Sequence, residues 1–242
     1  MEITDMWKSI VGAVVLGLIA GSANAASFAI SDWDQSTLNA PERLVNVGVD
    51  RFIVSTPSAT GNPGSNMRVD TRLLGGSGSL VAFIGFDGLT YNPGAQGAVL
   101  GFDYSIDQIF EAGGTGGHGW GIAFKQGNNV DILDLFSRFR FTNTPTNRTT
   151  YTTFAETGLD TSVLRTLSGS GIDFSETGGL IQLGLGIFSG NGGASQRFDQ
   201  TRYDNFSLTI QTAAVPVPAP LALLATGLIG LGVAARRKRQ NG

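Results

Sequence analysis

Several acidic side chains are spaced as pairs, and paired carboxylates are what glycoside hydrolysis requires. The two carboxylates of a hydrolytic pair lie about 5–10 Å apart. The candidate pairs are Asp103 with Asp107, Asp131 with Asp134, and Asp32 with Asp34. Asp103 and Asp107 share one face of a predicted strand, which separates them by about 13 Å at about 3.3 Å per residue. Because that distance is too long, we interpret these acids as solvated residues and predict that the chain is not an enzyme.

Histidine and cysteine chemistry is almost absent from the chain. One histidine and no cysteine occur among the 242 residues, which excludes a disulfide scaffold, a thiolate zinc site, an iron–sulfur cluster and a cysteine nucleophile. The histidine, His118, lies in the glycine-rich run Gly113–Gly121. No Gly-x-Ser-x-Gly motif provides a serine for it to activate. We predict that His118 is an exposed loop residue.

Aromatic and amide side chains are the other candidates, because sugar sites combine apolar ring faces with a few polar groups. Trp120 is followed closely by Gln126 and Asn128, and we predict these three as the ligand-binding residues. An alternative stays open in which Trp120 points into the core, because Trp120, Ile122 and Phe124 alternate along the sequence. The other aromatic candidates are Trp33, Tyr91, Tyr104, Tyr151 and Tyr203.

The elements that must position these residues are predicted to be strands. Apolar residues alternate with polar residues or glycine over 45–49, 100–106, 138–141, 181–187 and 206–210, and this period of two is typical of strands with one buried face. The one short helix predicted spans Asp160–Leu167. Strands separated by turns rather than helices indicate an all-β antiparallel two-sheet sandwich, and the length favours a jelly roll.

Both ends of the sequence have the features of targeting segments, which leaves residues 26–214 as the folded domain. Residues 1–25 contain the apolar run Ile10–Ala20 and then Ala23 and Ala25, the small residues that a signal peptidase reads. We predict a signal peptide cleaved before Ala26, with an uncleaved membrane anchor as the alternative. Residues 26–214 contain 11 basic and 17 acidic residues, which argues against a nucleic-acid partner.

The C-terminal residues 215–242 carry three elements in order. They are the proline motif Val215-Pro216-Val217-Pro218-Ala219-Pro220, the uncharged stretch Leu221–Ala235 and the cluster Arg236-Arg237-Lys238-Arg239. The uncharged stretch is of marginal length for a single transmembrane helix, and the four cations would stay on the cytoplasmic side. Physical chemistry alone predicts a tail anchor, with the signal peptide carrying the domain across the inner membrane.

These C-terminal residues closely resemble the PEP-CTERM sorting signal of Gram-negative bacteria, in its V-P-x-P-A variant. Val217 stands where the P-E-P form has glutamate. The resemblance implies that an exosortase processes the chain at or near the proline motif after transient anchoring in the inner membrane. It also implies a host that makes exopolysaccharide or biofilm matrix, and delivery to the cell surface or extracellular matrix. A permanent tail anchor is the alternative.

Segments of the middle resemble secreted concanavalin-like or carbohydrate-binding jelly rolls. The segments are Tyr91–Val99, Gly171–Ser175 and Tyr203–Thr209. In such proteins a residue placed like Asp204 can meet the first strand, near which Asp32 and Asp34 lie here. Carboxylate oxygens from loops and strand ends suit calcium, so the resemblance implies a structural Ca²⁺ held by Asp204, Asp32 and Asp34.

Together these observations predict an exported, exosortase-sorted surface or matrix protein without catalytic activity and with weak affinity for polysaccharide. Its processing partners would be signal peptidase and exosortase. One alternative is an extracellular glycan-active hydrolase, which clustered carboxylates with raised pKa values in a concave face would favour. Another is a structural subunit that self-assembles through the edges of its sandwich.

Overall fold

Strands account for most of the chain that the structure describes. The computed structural model describes residues 25–57, 60–112, 117–133 and 150–214. The predicted signal peptide up to Asn24, the predicted strand at 138–141 and the sorting signal from Val215 onward lie outside these ranges. Within them, no helix has both the length and the apolar character needed to cross a membrane.

Six strands form one antiparallel sheet, sheet A. They are β1 (Ala25–Ile30), β3 (Val49–Ser55), β4 (Met67–Leu73), β6 (Val99–Ala112), β9 (Thr152–Leu159) and β12 (Arg197–Thr212). The order across the sheet is β3-β4-β12-β6-β9, and β1 also pairs with β12.

Six further strands form the second antiparallel sheet, sheet B. They are β2 (Glu42–Val47), β5 (Gly78–Tyr91), β7 (Gly117–Gln126), β8 (Asn129–Leu133), β10 (Leu164–Ser168) and β11 (Ile181–Asn191). Their order is β10-β8-β7-β11-β5-β2. The prediction of an all-β antiparallel sandwich of two sheets is therefore confirmed.

Strand β12 holds sheet A together. Its first half pairs with β4, its second half pairs with β1, and β6 runs along its other side. The predicted cleavage point lies in this ladder, because Ala25 is opposite Gln211 and Ala26 is opposite Ile210. The ladder with β6 shifts register after Asp204, next to Asn205, whose φ of 47° is left-handed, a conformation that asparagine tolerates better than most residues.

The core lies between the two sheets and is built by the predicted alternation. Alternate residues of β11 (Ile181, Leu183, Leu185 and Ile187) are fully buried, and Phe102 and Ile106 of β6 are equally buried. Aromatic rings join the sheets, since Phe86 of β5 contacts Phe206 of β12 edge to face at 4.9 Å. Burial of each such side chain stabilises the fold by about 1.5–3 kcal/mol.

The outer face of sheet B is closed by its own side chains. Phe83, Val130 and Ile132 are no more than 3% exposed there and form a small second apolar cluster. The side chains of this cluster pack over glycines of the central strands. A Cβ on Gly184 would meet the Ile84 carbonyl oxygen at 2.3 Å and the Phe83 ring at 2.8 Å.

Two local predictions need correction. The predicted helix at 160–167 is a 3₁₀ turn, Thr161–Val163, followed at once by β10, because Leu164–Ser168 pair with β8 and tertiary pairing overrides local propensity. The alternating residues 45–49 form parts of two strands, since Gly48 between them has a φ of 59°, a left-handed conformation that glycine adopts freely.

One helical turn, α1 (Pro93–Gln96), connects β5 to β6. Asn92 caps it, because its side chain accepts a hydrogen bond from the Gly94 backbone N–H. The Tyr91 hydroxyl donates to the Gly97 carbonyl oxygen, so a buried tyrosine fixes the entry to β6.

Candidate functional site

An open cavity of about 450 Å³ lies beside the β8–β10 edge of sheet B. It is bounded by β8 and β10, by the 3₁₀ turn, by the start of β6 and by the loop between β10 and β11. The lining residues are Ala98, Val99, Asp131, Thr161, Leu164, Ile172, Phe174 and Ser175. This volume falls within the range of about 300–1,000 Å³ that is usual for small-molecule sites.

Three polar side chains of the β7–β8 hairpin hold the loop that forms one wall. Asn129 Oδ1 accepts from Ser170 N at 3.0 Å, and Asp131 Oδ2 accepts from Ile172 N at 2.9 Å. Gln126 makes three hydrogen bonds to the loop. It accepts from Asp173 N at 2.9 Å and donates to the carbonyl oxygens of Gly179 at 2.9 Å and Asp173 at 3.3 Å. The loop is therefore fixed to sheet B before any ligand arrives.

Asp131 is the charged residue among the described residues of the cavity wall. It is 5% exposed, and its Oδ1 is buried without a hydrogen-bond partner. A buried acceptor that lacks a donor costs about 1–3 kcal/mol, and more when it is charged. A ligand that donates a hydrogen bond to Oδ1 would recover part of this cost.

Phe174 supplies the aromatic part of the wall. Its ring meets Phe102 at 5.8 Å and Phe124 at 5.5 Å, both edge to face, so the core fixes its orientation while the residue stays partly exposed. Its carbonyl oxygen accepts from Val99 N at 2.9 Å, which ties the loop to the start of β6. Leu164 and Ile172 extend the apolar part of the lining.

Two further carboxylates lie next to lining residues. Hydrogen bonds from the Ser162 side chain and backbone lower the pKa of Asp160. Hydrogen bonds from Ser175 in the same way lower the pKa of Asp173. Both carboxylates therefore stay ionised at neutral pH, and the surroundings of the cavity are acidic.

The cavity combines one buried acceptor, two hydroxyls and an apolar wall, which suits a small amphipathic molecule. The sequence indicates parts of this cavity. Asp131 is one of the candidate carboxylates, and Gly171–Ser175 is one of the segments that resemble secreted jelly-roll proteins. No pattern linked Asp131 to Phe174, since they are 43 positions apart in the sequence and meet only through the β8–loop contact.

The predicted ligand residues occupy three different environments. Trp120 is 8% exposed and packs edge to face against Phe154 and Tyr203, 5.7 Å from each. It follows the inward alternative and is not an exposed platform. Gln126 positions the cavity loop, as described above, and Asn128 is exposed in the turn between β7 and β8. The three residues do not form one site.

The remaining aromatic candidates are mostly internal. Trp33, Tyr91, Tyr104 and Tyr203 are each no more than 5% exposed. Tyr151 is partly exposed, and its hydroxyl donates to the Thr60 carbonyl oxygen at 3.0 Å. The expectation that these rings stack on sugars fails for the buried four, since strand alternation turns the three tyrosines inward and Trp33 is buried from the loop after β1.

His118 is buried, so the prediction that it is an exposed loop residue is wrong. It begins the inward-facing series of β7 and is 5% exposed. Its Nε2 pairs with Thr201 Oγ1 at 2.9 Å, and its Nδ1 lies 3.8 Å from Asp199 Oδ2. Burial lowers its pKa, with Asp199 raising and Arg197 lowering it to smaller extents.

Asp199 is the centre of this buried polar network. Arg197 Nε contacts both of its oxygens, at 2.7 and 2.8 Å, and the Ser189 hydroxyl donates to Oδ2. Arg197 and Asp199 are each 1% exposed. Because these residues are enclosed in the core, we assign them a structural role.

Two of the three predicted calcium ligands, Asp32 and Asp204, come together in the structure, and the charge of Asp32 contributes to raising the pKa of Asp204. Asp32 accepts from Ser65 N at 3.1 Å, and Asp204 accepts from Asn62 N, so both reach the loop at 61–65. Asp34 instead caps a 3₁₀ turn by accepting from Ser36 N at 2.8 Å, and it does not join them. Among residues 25–57, 60–112, 117–133 and 150–214, no group of three or more acidic, histidine or cysteine residues is placed to hold a metal. Calcium stays a prediction.

Asp204 and Asp107 both lie near this loop. Burial raises the pKa of Asp204, opposed by hydrogen bonds from the backbone N–H groups of Asn62 and Asn205. Asp107 Oδ2 accepts from Asn205 Nδ2 at 2.8 Å. Hydrogen-bond donors of the chain therefore already contact both carboxylates.

Comparisons with known proteins give only distant likenesses. No family model and no curated protein matches the chain. Among solved structures, a family 11 carbohydrate-binding module from Clostridium thermocellum in complex with a β-1,3-1,4-mixed-linked tetrasaccharide shares 14% identity, with a TM-score of 0.35 over 82% of this chain and 94% of that one.

Two other solved structures are similarly remote. One, from work on promiscuous carbohydrate-binding modules of the β-sandwich superfamily, shares 8% identity, with a TM-score of 0.35 over 72% of this chain and 57% of that one. The other, TmCBM61 in complex with β-1,4-galactotriose, shares 12% identity, with a TM-score of 0.25 over 75% and 86%. Likenesses at this level carry no argument about the ligand of this chain.

Proposed function

We propose that this chain is a non-catalytic β-sandwich that binds carbohydrate in the Asp131 cavity. The observation that carries the proposal is the combination, in one open cavity, of a buried acceptor without a partner and an oriented aromatic wall. A pyranose ring has the matching chemistry, because it presents hydroxyl donors at its edge and C–H groups on its face. The binding is weak, because an open cavity of this size covers little more than one sugar ring.

The aromatic wall provides the test of carbohydrate binding. Titration of the purified protein with monosaccharides and oligosaccharides, followed by NMR, should shift the resonances of residues around the cavity. Phe174→Leu should weaken binding about fivefold or more, because stacking contributes about 1 kcal/mol. Phe188→Leu is the matched control, since Phe188 is another partly buried phenylalanine but lies on the outer face of sheet B.

Sugar binding at the cavity is refuted if no sugar perturbs its residues, or if both variants weaken binding equally. The predicted pair Asp103 and Asp107 does not favour the hydrolase alternative. Asp103 accepts from Gly158 N at 2.7 Å, and Asp107 accepts from the Thr153 hydroxyl, so each serves a hydrogen bond of the fold.

Export and sorting are part of the same proposal. The order of the proline motif, the uncharged stretch and the cluster Arg236–Arg239 supports sorting by an exosortase. Ala23 and Ala25 before Ala26 support cleavage by signal peptidase and secretion across the inner membrane of a Gram-negative bacterium. Delivery would place the sugar-binding domain at the cell surface or in an exopolysaccharide matrix.

Deletion of Arg236–Arg239 tests this part. The truncated chain should be mis-sorted, whereas the full chain should be released with termini at Ala26 and within Val215–Pro220. Normal release of the truncated chain would overturn the sorting proposal without affecting sugar binding. Terminal sequencing of the native protein measures both ends.

Self-assembly is a second candidate, favoured by the exposed edge strands. Val45 and Val47 of the edge strand β2 are 40% and 52% exposed, and Ile53 of the edge strand β3 is 42% exposed. Apolar side chains on an open edge promote pairing with another copy. If the protein sediments as an oligomer, Val47→Lys should return it to a monomer. A wild-type monomer at high concentration would remove this candidate.

A further inference from the structure

The described lining of the cavity contains one acidic residue and no basic one, and further acidic residues are its neighbours in sequence. Asp131 contributes to the wall itself. Asp160 precedes the lining residue Thr161, Asp173 precedes Phe174, and Glu176 follows Ser175. Arg165, which follows the lining residue Leu164, is the one cation with the same position relative to the lining. The described residues in or directly beside the lining therefore carry four carboxylates and one cation, so a ligand entering here meets an excess of negative charge.

Asp131 is distinct from the other three because water does not compensate its charge. Asp160 and Asp173 are fully exposed and accept hydrogen bonds from neighbouring serines. Asp131 is nearly buried, and only its Oδ2 has a donor. A charge-assisted hydrogen bond to Oδ1 would therefore gain more than one to a solvated carboxylate.

We infer that the Asp131 cavity selects an amino sugar, a pyranose unit that carries a free ammonium group, over neutral and acidic sugars. The inference rests on the proposed carbohydrate-binding function and names the ligand class of the same site. The ammonium group donates to Asp131 Oδ1, and the apolar face of the ring lies toward Phe174 and Ile172. Thr161 and Ser175 offer hydroxyls to the remaining ring substituents.

Acidic sugars are excluded by the same charges. A uronate would place a carboxylate beside Asp131 with no described cation in the lining to pair with it, and like charges in a partly desolvated site repel strongly. Neutral hexoses fit the apolar wall but provide only a neutral donor for Oδ1. The expected order of affinity is therefore glucosamine, then glucose, then glucuronate.

The experiment measures three dissociation constants on the purified protein, for glucosamine, glucose and glucuronate, by NMR titration at pH 6 and low salt. Glucosamine should bind about tenfold more tightly than glucose, because its ammonium group adds the attraction of opposite charges to a hydrogen bond that either sugar can make to the Asp131 carboxylate. N-acetylglucosamine is an additional probe, since acetylation removes the charge and keeps the ring. It should bind no better than glucose.

Asp131→Asn and Asp87→Asn form the matched pair of variants. Both remove one negative charge, but Asp87 is exposed on β5 and does not line the cavity. Asp131→Asn should reduce the preference for glucosamine over glucose to about twofold or less. Asp87→Asn should keep the wild-type preference. Thermal unfolding of each variant checks that the fold is intact.

The outcomes separate the two proposals. Equal binding of glucosamine and glucose refutes the amino-sugar inference and leaves carbohydrate binding in place. Tighter binding of glucuronate refutes it as well. The absence of binding by all four sugars refutes the proposed function itself. If Asp131→Asn does not fold, the order of the three sugars in the wild-type protein still decides the inference.

Discussion

Protonation of His118 in the unfolded chain is expected to make the stability of this protein fall between pH 7 and pH 5.5. Burial holds its pKa below the usual 6.5, so the unfolded chain binds a proton in this range that the folded chain excludes. Stability linked to such a group is present above pH 6.5 and is lost as the pH falls. If the folded state excludes the proton entirely, the loss is about 0.2 kcal/mol at pH 7 and about 1.4 kcal/mol at pH 5.5.

The assay is urea unfolding followed by tryptophan fluorescence, which the buried Trp33 and Trp120 make sensitive to unfolding. His118→Gln is the perturbation, because glutamine can still hydrogen-bond Thr201 but does not titrate. The wild-type free energy of unfolding should drop by about 1.2 kcal/mol more than that of the variant over this range.

Comparison with the variant cancels other titrations, including that of Asp204, whose raised pKa acts with the opposite sign. The interpretation is clean because His118 is the only histidine of the chain. Parallel pH profiles for the two proteins would refute the reasoning, since they would mean that the folded state accepts the proton as readily as the unfolded chain.

Three further predictions concern packing and buried polar groups. Arg197→Met should destabilise the fold by about 3–5 kcal/mol, because it leaves Asp199 buried without its cation. The control Arg72→Met removes an exposed ion pair with Asp50 and should cost about 1 kcal/mol or less. Equal losses of stability in urea unfolding would contradict this prediction. Gly184→Ala should cost about 1–3 kcal/mol by overpacking, and Gly192→Ala, where a Cβ meets nothing within 4 Å, should be nearly neutral in thermal unfolding. Tyr91→Phe should cost about 1 kcal/mol through loss of the hydrogen bond to Gly97, and an unchanged melting temperature would count against that bond.

Strand positions were predictable from the sequence because alternation reports directly which face of a strand is buried. The series in β11 and β12 were predicted correctly for this reason. The series in β6 was correct from Phe102 onward, whereas Leu100 at its start is 56% exposed. Strand order is a different kind of information, since it depends on pairings between residues far apart in the chain. The jelly-roll name, which requires that order, could not follow from alternation alone.

The functional residues were harder to predict than the strands. Residue type suggests a chemical role, but the position of the side chain in the fold decides whether it can perform that role. His118 follows several glycines, which are typical of loops, yet it starts a buried strand. Trp120 has the chemistry of a sugar platform but lies on the inward face of the same strand. Gln126 was chosen for its amide group, and that group holds the cavity loop instead. Asp131 was a candidate only as one member of a carboxylate pair. Its importance in the structure comes from Oδ1, which has no hydrogen-bond donor, and no sequence pattern reveals such an atom.

The place of β12 in sheet A sets the order in which the domain can assemble. This strand is the last of the described strands to be synthesised, yet β1, β4 and β6 all pair with it. Sheet A therefore cannot form completely until the ribosome has synthesised the chain to about residue 212. Strand β1 has no pairing strand until then, although it is synthesised first among the described strands. Under the export proposed above, such a delay would help the chain to cross the membrane as an extended polypeptide, because most of its sequence precedes the strand that completes the fold.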